Sequence, residues 1–169
     1  MGFDIYGIAP VESEDRSSPG EYFRNNVWWW RPLWTYIIEV CTELTEKQKE
    51  AGFWNDGVQI DEKTAEYIKV TLKDELEKGK CFTYQVLLQA KLDAMPDEQC
   101  SICHGTGQRD NWTGFALMDT DQPKDAQIEC NGCKGKGTTR PFATNYPFSE
   151  DNVQEFVNFL EHSNGFEIS

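Results

Sequence analysis

Positive charge is scarce in this chain. Lysine and arginine together number 16 against 29 aspartates and glutamates, a formal net charge of −13 over 169 residues. A protein held to nucleic acid by a broad electrostatic field needs the opposite balance, because phosphate contacts are made by concentrated Lys and Arg. The same deficit argues against docking on an anionic lipid surface. Long apolar runs are missing too. The greasiest stretch, Val27 to Val40, is interrupted by Arg31, Pro32 and Glu39, and it falls short of the ~20 apolar residues of a membrane span. The first residues, Met1 to Tyr6, carry neither a basic n-region nor an apolar h-region, so no secretory signal is expected there. Tyr6 stands where a myristoylation motif wants Ser or Thr. Without export, the sequon Asn111-Trp112-Thr113 reads as a chance match. The host or cell cytoplasm is the expected compartment.

Catalytic signatures are equally thin. There are two histidines, His104 and His162, and no Ser/His/Asp order, P-loop or H-E-x-x-H motif. Carboxylates are too numerous for one acid–base pair to stand out. Nothing in the sequence supports an enzyme. What is present is aromatic content of 13%, too rich for a disordered acidic tail. A chain of this length makes one domain, or one with a small appendage, and hides ~68–70% of its unfolded surface.

The six cysteines carry the clearest message. Without an export signal they point to thiols or metal ligands instead of a disulfide frame. Cys100-Ser-Ile-Cys103-His-Gly105-Thr-Gly107 is echoed by Cys130-Asn-Gly-Cys133-Lys-Gly135-Lys-Gly137, so the pattern C-x-x-C-x-G-x-G occurs twice. Two residues between cysteines let both thiolates reach one ion about 2.3 Å from each sulfur. The glycines permit positive φ and turn backbone N–H groups toward the sulfurs. Cys100, Cys103, Cys130 and Cys133 then fill a tetrahedral site, the closed kind that holds one structural zinc ion. Two unrelated thiol pairs, a reducible dithiol and an iron–sulfur cluster are the alternatives. The duplicated pattern favours a shared metal. His104 is not needed as a ligand, and Cys41 and Cys81, without C-x-x-C partners, read as buried free thiols.

This motif resembles the cysteine-rich zinc region of DnaJ-type cochaperones, which carries four such units and two zincs. Two units imply one zinc. The resemblance covers about forty residues, and 22 residues separate Gly107 from Cys130, unlike the short tandem spacing of that family. The chain has no His-Pro-Asp tripeptide, so stimulation of a chaperone ATPase is not implied. Phe115–Met118 and Ala126–Glu129 are expected to form a hairpin between the knuckles. A second resemblance lies in Met1 to Tyr6, Gly20 to Trp34 and Tyr146 to Ile168, which look like segments of small uncharacterised bacteriophage and bacterial proteins. It implies a phage or prophage origin and no particular activity.

Periodicity places the rest. Residues 1–10 read as an extended segment, and 11–21 as a loop. Pro32 suits the first turn of a helix whose face is Leu33, Ile37, Val40, Cys41 and Leu44. Thr45 and Gln48 form a capping-box pattern ended by Gly52. Asp61 caps a helix with Ala65, Ile68, Leu72 and Leu76 inward, and Gly79 sits at its C′ position. A further segment, about Thr83 to Ala94, is expected to be helical with Val86, Leu87, Ala90 and Met95 inward, although its start could be strand. Ser149 opens a last helix with the stripe Val153, Phe156, Val157 and Leu160, stopped by Asn164-Gly165.

The expected fold is therefore α+β: a helical body over 1–97, a zinc-stabilised β element over 98–140, and a C-terminal helix over 141–169 packing back on the body. Trp28, Trp29, Trp30 and Arg31, with Trp34 and Arg24, could form a stacking platform, since indole faces stack bases and Arg adds cation–π contact. Aromatic clusters are more often core. The expected function is a non-enzymatic protein-interaction module. An acidic inhibitor that mimics nucleic acid is the alternative, and zinc-assisted nucleic-acid binding a further one. Charge is uneven: residues 100–140 balance five acids with five bases, while 141–169 hold five acids and no Lys or Arg.

Overall fold

The computed structural model describes residues 2–11, 18–54, 56–111 and 126–169. Two compact units make up the chain, residues 1–91 with 145–169, and residues 92–144. The fold is α+β, as expected. Among the described residues no helix is long and apolar enough to cross a membrane.

The first unit begins with β1 (Gly2–Gly7) and β2 (Tyr22–Asn26), an antiparallel pair in register Tyr6 to Tyr22. Period-2 alternation buries Phe3 and Ile5 on one face and leaves Tyr6 on the other. α1 (Val27–Val40) follows without a linker. It starts well before Pro32, which lies inside the helix rather than in its first turn. The reason is Asn26, whose side chain accepts from the backbone N–H groups of Trp28 (2.9 Å) and Trp29 (3.2 Å). That cap satisfies two orphan donors, and burial of Trp30, Leu33 and Trp34 offsets the intrahelical bond Pro32 cannot donate.

α2 (Glu46–Ala51) carries the expected capping box of Thr45 and Gln48 and ends at Gly52. Its C-terminal carbonyls anchor two core indoles. Trp30 Nε1 donates to the Gly52 carbonyl at 2.7 Å, and Trp34 Nε1 to that of Lys49 at 2.9 Å. β3 (Val58–Ile60) leads into α3 (Glu62–Glu77), capped by Asp61, with Ala65, Ile68 and Leu72 buried and Gly79 at φ +65°.

α4 (Lys80–Asp93) starts directly after that glycine and is helical from its first residue. Its inward face differs from the expected one. Cys81 is buried and Tyr84 and Leu88 pack on the core, whereas Val86, Leu87 and Ala90 are exposed. Met95 lies beyond the helix. Tertiary partners set this register. Tyr84 packs on Tyr36 and Phe148 at ring separations of 4.7 and 4.8 Å, and the Cys81 thiol lies 3.7 Å from the Tyr36 hydroxyl. Hydrophobicity on α4 is spread around the helix, so the sequence gives its face no clear direction.

In the second unit, β4 (Glu98–Gln99) pairs with β7 (Thr138–Thr139), and β5 (Gln108–Asp110) with β6 (Gln127–Glu129), both antiparallel. The Ala126–Glu129 part of the expected hairpin is thus paired with Gln108–Asp110. Phe115–Met118 lies outside the described residues, as do residues 12–17 of the expected loop. A short 3-10 turn, Phe142–Asn145, precedes α5 (Glu150–Ser163). Ser149 caps α5, and Asn164, at φ +48°, ends it in a left-handed turn.

β8 (Phe166–Ile168) then inserts between β1 and β3, completing a sheet ordered β2-β1-β8-β3. The first unit's core lies between the sheet's buried face and α1, α3 and α5. Trp30 stacks on Trp34 at 5.5 Å and on Phe3 at 5.6 Å, and meets the edge of Phe156 at 84°.

Candidate metal centre

Each cysteine pair sits in a tight turn between two short strands. Cys100 and Cys103 lie between β4 and β5, and Cys130 and Cys133 between β6 and β7. All four side chains are buried, and their sulfurs lie within 4.8 Å of one another. Cys100 Sγ is 3.9 Å from Cys130 Sγ, and Cys103 Sγ is 3.6 Å from Cys133 Sγ. Four sulfurs bound tetrahedrally at ~2.3 Å would sit about 3.8 Å apart. The donor set therefore fits a metal ion at its centre.

The two knuckles repeat each other at a spacing of 30 residues. Gly107 N–H donates to Cys103 Sγ at 3.3 Å, and Gly137 N–H to Cys133 Sγ at 3.2 Å. Backbone bonds then cross between the halves: Cys100 N–H reaches the Gly137 carbonyl, and Cys130 N–H that of Gly107, both at 2.9 Å. Gly107 has φ +76° and Gly137 φ +79°. A Cβ on Gly107 would stand 2.3 Å from the Gly135 carbonyl oxygen, and one on Gly137 2.4 Å from that of Gly105. Glycine is needed at both positions for its positive φ and for the close approach of the other knuckle.

The electrostatics polarise the sulfurs. Burial raises the Cys103 thiol, but the Gly107 N–H and the neighbouring thiols outweigh it and hold Cys103 down at about 6. Burial pushes Cys133 up to about 11, against the Gly137 N–H and reinforced by the other three sulfurs. A divalent cation at the centre would ionise all four, because metal-bound sulfur is thiolate.

Two arginines brace this unit, and sequence reasoning did not single out either for that role. Arg109 is buried on β5, and its Nε donates to Asn131 Oδ1 of the other knuckle at 2.9 Å. Arg140 donates to the carbonyls of Leu92 (2.6 Å) and Met95 (2.5 Å) and pairs with Asp97 at 3.3 Å. Neither arginine has a sequence signature separating it from a surface base. His104 contributes its backbone carbonyl to Gln99 Nε2 at 2.9 Å.

The tryptophans divide. Trp30 is wholly buried with its N–H spent on Gly52, so it offers no face to a ligand. Helical geometry turns Trp28 and Trp29 outward, each 37% exposed, with Trp28 against Tyr146 at 4.9 Å. Arg31 is partly buried, and its Nε is buried with no hydrogen-bond partner among the described residues. Cys41 and Cys81 are buried free thiols far from any pairing motif. Burial pushes the Cys41 thiol up to about 12 and raises that of Cys81.

No protein-family model, no curated protein and no solved structure matches the chain. Neither the DnaJ-type nor the bacteriophage resemblance gains support from these comparisons.

Proposed function

We propose that this is a non-enzymatic interaction protein whose residues 92–144 are folded around one structural zinc ion. The observation that carries the reading is the donor set: four buried cysteine sulfurs within 4.8 Å of one another, each knuckle supplying a backbone N–H to one sulfur. Four thiolates saturate zinc and leave no position for a reacting water, which favours a structural ion over a catalytic one. The partner is a protein with basic character, in keeping with the charge. Phage or prophage origin, and with it the host cytoplasm, is part of the same proposal and is supported by the resemblance of the terminal segments.

Purified protein should contain one zinc per chain by elemental analysis, released by a chromophoric chelator. Absence of zinc, or unchanged stability of Cys100→Ser with Cys130→Ser, would sink the metal assignment. The second reading, an inhibitor occupying a nucleic-acid-binding protein's basic surface, is favoured by the run of residues 141–169 without a single Lys or Arg. Co-purification of such a protein, weakened by salt, would support it.

A further inference from the structure

α4 is apolar on two opposite sides. Cys81, Tyr84 and Leu88 face the core of the first unit. Phe82, Val86 and Ala90 recur every four residues on the side turned away from them, and Leu87 lies beside that row. The three larger side chains of this outer face are open: Phe82 is 56% exposed, Val86 50% and Leu87 65%. All four residues belong to the first unit. Within the single chain this row meets solvent, although its hydrophobicity calls for burial. A helix that is apolar all round is one that is covered all round, and a contiguous exposed apolar patch marks a contact surface.

The charge around this face identifies what covers it. From Lys78 to Leu92 the chain carries three lysines and no Asp or Glu, so all 29 acids lie elsewhere. Lys78 and Lys80 are already paired, with Asp74 and Glu75, each at 2.6 Å. A basic partner finds no acid here, and an acidic partner finds two of the three lysines neutralised. A second copy of the chain is different. Two molecules of net charge −13 repel over most of their surfaces, and on the α4 face they meet without opposed carboxylates. The row is also self-complementary. A two-fold axis through Val86 runs two α4 helices antiparallel, sets Phe82 of one copy over Ala90 of the other, and brings the two Val86 side chains together. Large then faces small on both sides of the axis.

We infer that α4 is the contact of a symmetric homodimer, built on Phe82, Val86, Leu87 and Ala90. The inference stands apart from the zinc reading and from the basic partner, which is drawn to the acids and not to this face. One pair of 14-residue helices, each about 21 Å long, covers less than the ~1,600 Å² of a standard interface. The dimer is therefore weak, with a Kd on the order of 10 µM.

Sedimentation velocity on the full-length protein, from about 1 to about 300 µM so as to span that Kd, tests it. The chain should pass from monomer to dimer. Added salt should strengthen the dimer, because it screens the acidic repulsion and leaves an apolar contact intact. Val86→Glu and Val86→Lys should each weaken association by about tenfold or more, since each sets like charges across the axis. An equimolar mixture of the two variants should associate again, now as a heterodimer. Phe82→Ser should weaken the dimer as well. These side chains are exposed in the monomer, so the urea midpoints of the dilute variants should match that of the dilute parent. A monomer at every concentration overturns the assignment, whatever else then covers α4. So does a dimer that survives Val86→Glu, or a pair of charged variants that fails to associate when mixed.

Discussion

The two units bury different things. Residues 1–91 with 145–169 bury Trp30, Trp34, Phe156, Phe166 and a contiguous set of aliphatic side chains between a sheet and three helices. Among the described residues of 92–144 the corresponding cluster is the four cysteines. Apolar burial stabilises a unit by about 25 cal/mol per Å² removed from water, and the first unit draws on it freely. The second, among its described residues, adds Leu92, Arg109, Asn111 and Pro141 to its buried side chains, little apolar surface to set against the entropy of ordering its turns. Stability in the first unit is therefore intrinsic. For the second, the proposed zinc ion would supply stability, because binding free energy and folding free energy are the same quantity when the site exists only in the folded state.

Metal removal offers the sharpest break between the units. Zinc contributes on the order of 10 kcal/mol to small zinc-folded peptides. Chelation, or Cys100→Ser with Cys130→Ser, should abolish hydrogen-exchange protection across residues 98–110 and 127–139 while leaving α1, α3 and α5 protected. Thiol labelling gives the same contrast. The four knuckle cysteines should become reactive on chelation, while Cys41 and Cys81 stay silent until the first unit unfolds. Loss of protection in both units together would erase the distinction.

The converse experiment strikes the aromatic core. Trp30→Ala or Phe156→Ala should lower the unfolding free energy of the first unit by about 3–5 kcal/mol, measured by urea denaturation, with zinc stoichiometry retained. Glycine substitutions give a finer comparison. Gly107→Ala meets both a positive φ and a carbonyl 2.3 Å away. It should cost more than the ~1–2 kcal/mol of a left-handed alanine and weaken zinc retention against a competing chelator. Gly79→Ala, at φ +65° with nothing within 4 Å, should cost only that conformational term. It should act on the first unit alone.

The smallest effect concerns acid. The Thr64 N–H holds the Asp61 carboxyl below its ordinary range, and the Lys73 ammonium does the same for Glu161. Carboxyls lowered on folding contribute stability that is complete above their unfolded values near pH 4 and fades as pH falls through the lowered folded values. Asp61→Asn should keep the cap at neutral pH and flatten the acid limb of the first unit's stability curve. Asp61→Ala should cost about 1 kcal/mol at neutral pH as well.

Local chemistry was legible in the sequence wherever one short segment contains its whole cause. The capping box at Thr45 and Gln48, the caps at Asp61 and Ser149, and the αL turn at Asn164 all involve residues within four positions of one another. The duplicated knuckle belongs with these, since the spacing inside each half is itself the ligand geometry. The sheet was mostly hidden, because β3 and β8 are three residues long and too short to show alternation. Their neighbours also come from distant parts of the chain: Ile5 pairs with Ile168, and Ile60 with Phe166. The start of α1 was misplaced because Pro32 was a louder signal than Asn26. The face of α4 was misjudged because Tyr36 and Phe148, not its own pattern, choose it.

The sequence by itself determined the caps, the apolar stripes of α3 and α5, the acidity and the two cysteine knuckles, all set by neighbours along the chain. Only the tertiary structure decided that the two knuckles face each other with their sulfurs at metal-holding distance. It also decided that Trp30 turns inward while the Trp29 carbonyl is held by Asn152. Those pairings join residues from 30 to more than 120 positions apart. No local rule specifies them, because which surfaces meet is set by the burial of the whole unit and by the shared demand of four sulfurs for one centre.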